Sequence, residues 1–344
     1  MTRYQKLLSR RAPQDERFFK SFSEAFELSI GENTKYILGA MRPVEKRFTD
    51  KLLNDGNRIQ AQLDSRIDSE YPNIEFRRQG SVTNDTHIRY YSDIDVLVLI
   101  DKFYTVEYPV LPNDQYMGSV NRELSILRYR CKEEIELGFP ATDVDDSGAF
   151  SISVKGGSLS GKVDVVPSCW YLTFEYRENP QEYLKGVTVL NRKTQEQINN
   201  FPFKFNHLLN ARDSNTYGIT KMLIRFLKSI KADEEEEGSK YSISSYDLCS
   251  VVYRMPDDLF LRSIVNSPII MIYNLLSWFN YLILNESRAK ALMVVDNSRK
   301  IFNEQAKLQD ISRLYKLINE LCSKATSESG QTFISKSHIA ENSY

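Results

Sequence analysis

Asp93-Ile94-Asp95-Val96-Leu97-Val98-Leu99-Ile100 is the stretch that most limits what this chain can fold into. Side chains alternate between the two faces of a strand, so Asp93 and Asp95 share one face while Ile94 and Val96 enter a core. Beyond Asp95 both faces are apolar, which marks a central, buried strand. Two carboxylates side by side at the head of such a strand repel unless a cation neutralises them. Oxygen-only ligands at a strand end suit Mg²⁺, which also takes oxygens from substrate phosphates. The pair therefore predicts a metal and a nucleotide together.

Two further segments fit that expectation. Gln79-Gly80-Ser81 follows a short predicted strand, Ile74 to Arg78, and precedes the acidic strand by a loop holding Thr86 and Ile88. Gly80 lacks a Cβ, so a phosphate can approach its backbone, and the Ser81 hydroxyl can donate to phosphate oxygens. In Lys162-Val163-Asp164-Val165-Val166, Asp164 again faces away from apolar neighbours, on a strand that can lie beside Asp93 and Asp95. A surface aspartate on an edge strand is the bland alternative for Asp164. Three carboxylates can hold two Mg²⁺ roughly 3.5–4 Å apart, with Mn²⁺ as a substitute, the arrangement used for in-line displacement at phosphorus. That chemistry is nucleotidyl transfer.

The remaining pattern predicts an α+β fold with one curved sheet. A helix kinked at Pro43 is expected from Asn33 to about Ile67, ended by Tyr71-Pro72-Asn73, and another from Val120 to about Leu137. Residues 104 to 116 read as a loop. Strands are expected from Asp93 to about Asp101, from Ala149 to Lys155 and from Lys162 to a terminus at Pro167, the last two joined by Gly156-Gly157-Ser158. Beyond about Asn191 the chain reads as almost wholly helical. One helix there shows Ile219, Met222, Leu223, Phe226, Leu227 and Ile230 on its buried face and Lys221, Arg225 and Lys228 on the other. Asp233 to Ser239 reads as a solvated acidic loop. A later helix carries Leu308 to Cys322, and a frayed tail follows from Ser323.

Charge is balanced, with 45 Lys and Arg against 46 Asp and Glu, a net of −1, which argues against a general grip on duplex nucleic acid. Cys131, Cys169, Cys249 and Cys322, like His87, His207 and His338, are scattered, so a structural zinc site is not expected. With no signal-peptide pattern at Met1 the chain reads as cytoplasmic with free thiols. The apolar run Pro268 to Leu284 is short of a membrane span and carries Asn274 and Asn280, which fits a core helix.

Residues 70 to 255, through Gly80-Ser81, Thr86-x-Ile88, Ser92 to Val96 and Asp164, resemble the DNA polymerase β-like nucleotidyltransferases. Within them the chain looks like the bacterial CD-NTases related to cyclic GMP-AMP synthase, DncV and oligoadenylate synthetase. Two more positions match that family: Lys228 its triphosphate-holding lysine, and Ser245-Tyr246 a phosphate-binding serine followed by a base-stacking aromatic. A solvated helix face for Lys228 and a core aromatic for Tyr246 are the alternatives.

The resemblance implies a bilobed enzyme: residues 1–70 with a long spine helix, a catalytic core over 71–190, a helical lobe over 191–330, and a tail over 331–344. It implies a cyclic di- or trinucleotide made from NTPs, ATP and GTP foremost, with pyrophosphate released, as a signal in bacterial anti-phage defence. It also allows for a regulatory protein partner. The zinc-ligating insertion of animal cyclic GMP-AMP synthase has no counterpart here, which argues against activation by double-stranded DNA. A linear oligonucleotide or RNA-modifying transferase of the same fold, and an inactive nucleotide-binding module, are the competing readings.

Overall fold

The computed structural model describes residues 1–10, 31–67, 74–89, 92–108, 116–264 and 268–328. These divide into two compact units, one of residues 45–87 and 91–207, the other of residues 1–44, 88–90 and 208–344. The break at Tyr71 to Asn73 lies outside the described residues, as does the chain beyond Glu328.

The first unit is built on a mixed sheet: β1 Glu75–Gln79, β2 Ile94–Val106, β3 Thr142–Asp145, β4 Ile152–Gly156, β5 Val163–Leu172, β6 Gly186–Leu190 and β7 Gln197–Asn200. The order is β1-β2-β5-β4-β3, with β6 also on β5 and β7 on β6. Among the described residues only β2 and β5 run parallel in this sheet; the other pairs are antiparallel. The alternation of β2 supplies two cores. Ile94, Val96, Val98 and Ile100 join Val163 and Val165 beneath helices Lys46–Ile67 and Val120–Gly138. Leu97 and Leu99 join Val166, Trp170, Val187 and Val189 on the opposite face. Asp93 and Asp95 share the parity of Leu97, so they stand at the head of this second face.

Several expectations are corrected. The helix predicted across Pro43 is two helices, Glu32–Met41 and Lys46–Ile67, because proline supplies no N–H and crowds the preceding turn. Tyr104 to Val106, expected in a loop, extend β2 and pair with Trp170 to Leu172; residues 109–115 lie outside the described chain. Pro167 does not end β5. It sits where β5 changes neighbour, between Val163–Val165 on β4 and Ser168–Tyr171 on β6, so its missing N–H costs no ladder bond on that edge. The sheet also holds β3, β6 and β7, and β7 places a strand where the chain was expected to be helical.

The second unit is helical among its described residues. Helix Pro268–Leu284 buries Ile269, Ile272, Leu275, Leu276, Trp278, Phe279 and Leu282, and Asn274 donates to the Leu259 carbonyl at 2.9 Å. No helix of the described residues is long and apolar enough to cross a membrane. Helix Ile219–Glu236 is enclosed on more sides than its pattern suggested: Arg225 and Lys228, placed opposite the apolar face, are buried, so the solvated-face alternative for Lys228 does not hold. Arg225 donates to the Met41 carbonyl at 2.8 Å. The acidic run is likewise no solvated loop at its start, since Asp233 is fully enclosed and helical, hydrogen-bonded by Arg10 and Tyr36. Helix Gln305–Glu328 continues past Ser323, where fraying was expected.

Candidate active site

The parallel register of β2 and β5 sets Asp95 directly beside Asp164. The antiparallel register of β1 and β2 sets Gln79 beside Asp95, so the chain leaves β1 into Gly80 just above that carboxylate. Gly80 has φ +87°, a conformation that side chains resist, and a Cβ on it would collide with Asp95 Oδ2. The positive φ is what requires glycine; a Cβ would in addition push the Asp95 carboxylate aside. The short helix Gly80–Thr83 is tied down locally: Thr83 Oγ1 donates to the Gln79 carbonyl at 2.9 Å, and the Thr86 N–H to the Ser81 carbonyl at 2.9 Å. Thr86 is buried and donates from its hydroxyl to Asn84 Oδ1 at 2.6 Å, so it closes the turn from inside.

Asp93, two residues before Asp95, completes the trio. Lys162 places its ammonium 2.7 Å from Asp93 Oδ2 and 3.0 Å from Asp164 Oδ2, with side-chain exposures of 51% for Asp93, 33% for Lys162 and 15% for Asp164. Burial would lower the pKa of that ammonium, but its hydrogen bonds to both carboxylates and their charges outweigh burial and hold it above the usual lysine value. Asp95 has no comparable relief. Burial first, then the charges of Asp164 and Asp93, raise its pKa to about 7, with Lys162 pulling the other way.

Among the described residues no three His, Cys, Asp or Glu side chains are gathered into a group that could hold a metal ion; the cation between Asp93 and Asp164 is the Lys162 ammonium. The donor set nonetheless fits divalent ions. Asp164 Oδ1 is buried with no hydrogen-bond partner among the described residues, and burial together with the charges of Asp164 and Asp93 holds the Asp95 carboxyl far above the usual carboxylate range. An acceptor without a donor beside a carboxyl without a counter-ion is the electrostatic demand that a hard cation meets.

The other three candidates lie in the helical unit. Lys228 is 9% exposed, and burial lowers the pKa of its ammonium, with the charges of Arg225 and Lys231 acting in the same direction. Ser245 opens helix Ser245–Tyr253 and is exposed, because its neighbour Ser244 performs the capping in a reciprocal box with Asp247. Tyr246 donates its hydroxyl to Asp296, and the Arg299 guanidinium lies 5.6 Å from its ring centre. Asp247 in turn meets Arg299 at 2.7 Å and Lys307 at 3.0 Å, which fixes the turn bearing Ser245 and Tyr246. Lys162 was missed in the sequence, although its spacing of two from Asp164 puts both side chains on one strand face.

Asp95 and Asp164 stand side by side on parallel strands beneath the Gly80 turn, the arrangement expected of a nucleotidyltransferase of the polymerase β type. The helical part is recognised separately: residues 207–334 match the cGAS/DncV-like nucleotidyltransferase C-terminal helical domain. The chain is 33% identical over 299 residues to the cyclic dinucleotide synthase CdnE of Yersinia aleksiciae, covering 86% of this chain and 77% of that one. It is 29% identical over 309 residues to a c-di-GMP synthase of Capnocytophaga granulosa, covering 83% and 84%. The solved STING-associated CdnE c-di-GMP synthase of Capnocytophaga granulosa superposes with a TM-score of 0.78 at 26% identity, over 94% of this chain and 98% of that one. The chain belongs to the CD-NTase family and is a nucleotidyltransferase.

Proposed function

We propose that this enzyme is a Mg²⁺-dependent cyclic oligonucleotide synthase that joins NTPs by attack of a ribose hydroxyl on an α-phosphate, releases pyrophosphate and closes a ring. The register of Asp95 beside Asp164, with Asp93 at hand and Gly80 overhead, carries this reading. Divalent ions held by Asp93, Asp95 and Asp164 would neutralise the triphosphate and acidify the attacking hydroxyl. The protein's own part is to present the three carboxylates on adjacent strand heads, to admit phosphate at the bare backbone of Gly80, and to orient it with Ser81 and Gln79. On the family resemblance, Lys228 and Ser245 are proposed to bind phosphate and Tyr246 to stack on a base; stacking is tolerant of base identity.

A ring of two nucleotides is favoured by the names of the most similar relatives, a cyclic dinucleotide synthase and c-di-GMP synthases. GTP and ATP are the proposed substrates, and a cytoplasmic role in anti-phage signalling, with or without a regulatory protein, follows the same family. Purified protein incubated with labelled NTPs and Mg²⁺ should yield a phosphatase-resistant product whose mass gives the ring size. A phosphatase-sensitive ladder would replace this reading with linear synthesis, and no turnover would leave a nucleotide-binding module.

A further inference from the structure

We propose that Lys162 is a built-in counter-ion that competes with divalent metal for Asp93 and Asp164, so that an ion taking the oxygens it bridges displaces its ammonium. The inference rests on the metal-binding role proposed for those carboxylates. Its first support is direct: one ammonium bridges one oxygen of each, at 2.7 and 3.0 Å. Its second is that the backbone is held on both sides of Lys162. The buried carboxylate of Asp55 accepts from the Ser160 N–H at 2.6 Å and the Gly161 N–H at 3.1 Å. Gly161 packs so closely that a Cβ there would collide with Leu52 Cδ2. The Lys162 carbonyl accepts from the Ile94 N–H at 3.0 Å, which locks the heads of β2 and β5 together.

The lysine is thus delivered by a fixed turn to the space between two carboxylates. It compensates one of their charges and leaves Asp95 and the inner oxygen of Asp164 uncovered. A metal-free trio of bare carboxylates would push the strand heads apart; the ammonium prevents this while remaining exchangeable, because the pair is partly exposed.

The test uses metal-stripped full-length protein and Mn²⁺ alone, with free Mn²⁺ followed by electron paramagnetic resonance and stability by thermal melting. Lys162→Gln should bind Mn²⁺ roughly tenfold more tightly than wild type, since a competing charge is gone. It should melt lower than wild type without metal and recover at saturating Mn²⁺. Lys162→Arg, which keeps the charge, should stay within about twofold of wild type. If Lys162→Gln binds Mn²⁺ no more tightly while binding still depends on Asp93, the inference fails and the metal site stands. If wild-type binding is absent, or indifferent to Asp93→Asn, both fail together.

Discussion

An enclosed aspartate of the helical unit, Asp233, and a half-buried one of the sheet unit, Asp95, are treated in opposite ways. Asp233 in the helical unit is fully enclosed, and its carboxylate receives hydrogen bonds from Arg10 and Tyr36 with Arg3 3.6 Å away. Asp95 in the sheet unit is flanked by two carboxylates of its own sign, with Lys162 bound to those neighbours. Burial raises the pKa of both. At Asp233 the Arg10 charge, the Tyr36 hydrogen bond and the Arg3 charge oppose it, whereas at Asp95 the neighbouring carboxylates add to it and bring the group to about 7. A compensated buried charge holds a fold together; a desolvated one without compensation demands a cation from solution.

Exchanging each aspartate should therefore give opposite results. Asp95→Asn should lower synthesis by more than about 10³-fold, as expected when charge stabilisation of several kcal/mol is lost. Its denaturation midpoint should be unchanged or higher, because like-charge repulsion is relieved. Asp233→Ala should cost about 3–5 kcal/mol in chemical denaturation, the usual penalty for orphaning buried cations, with far less loss of turnover per folded molecule. Retained synthesis in Asp95→Asn, or an unaffected midpoint in Asp233→Ala, would break the contrast.

A milder test concerns Lys228, which is buried yet assigned to phosphate. Lys228→Ala should raise the donor KM about tenfold, the size of a charge-assisted hydrogen bond, with a smaller change in kcat. A lower melting temperature with KM unchanged would make Lys228 a structural residue like Asp233.

The acid–base behaviour of Asp95 sharpens the contrast again. The folded protein keeps the Asp95 proton up to about pH 7, while the unfolded chain loses it near pH 4. Between those values the folded state binds more protons, so this contribution to metal-free stability is complete below about pH 4 and is lost as pH rises toward 7. Melting curves of metal-free wild type and Asp95→Asn across this range should show that slope only in wild type. Divalent binding near neutrality should release a proton, detectable by calorimetry in buffers of different ionisation enthalpy. The smallest effect is reserved for Tyr246→Phe, which loses one hydroxyl bond to Asp296 at a cost of about 1 kcal/mol and keeps its ring.

How legible each region was in the sequence follows the same division. Alternation in β2 exposed both the strand and its carboxylate pair, because charges at the head of a buried strand are costly unless a ligand meets them. β7, Gln-Ile-Asn-Asn with every residue exposed, carries almost no apolar signal and is held to β6 by its backbone ladder and by the Thr188 hydroxyl, which donates to Asn199 Oδ1 at 2.7 Å. β6, Gly-Val-Thr-Val-Leu, carries β-branched residues that signal a strand, yet it was not among the expected strands. The buried charges misled most. Asp233 begins an acidic run and Arg225 and Lys228 lie off an apolar stripe, so local pattern gave no sign that any of the three is buried. The burial of Asp233 and Arg225 depends on Arg10, Tyr36 and Met41, about 180 to 220 residues away in the chain. Lys162 was within reach of the sequence, since strand parity alone pairs it with Asp164.

The most direct test is where divalent ions bind. Crystals grown with Mn²⁺ and a non-hydrolysable NTP, measured at the manganese edge, should show anomalous density in contact with Asp93, Asp95 and Asp164, and the Lys162 ammonium withdrawn from it. Manganese bound elsewhere, with Lys162 still seated between Asp93 and Asp164, would contradict it.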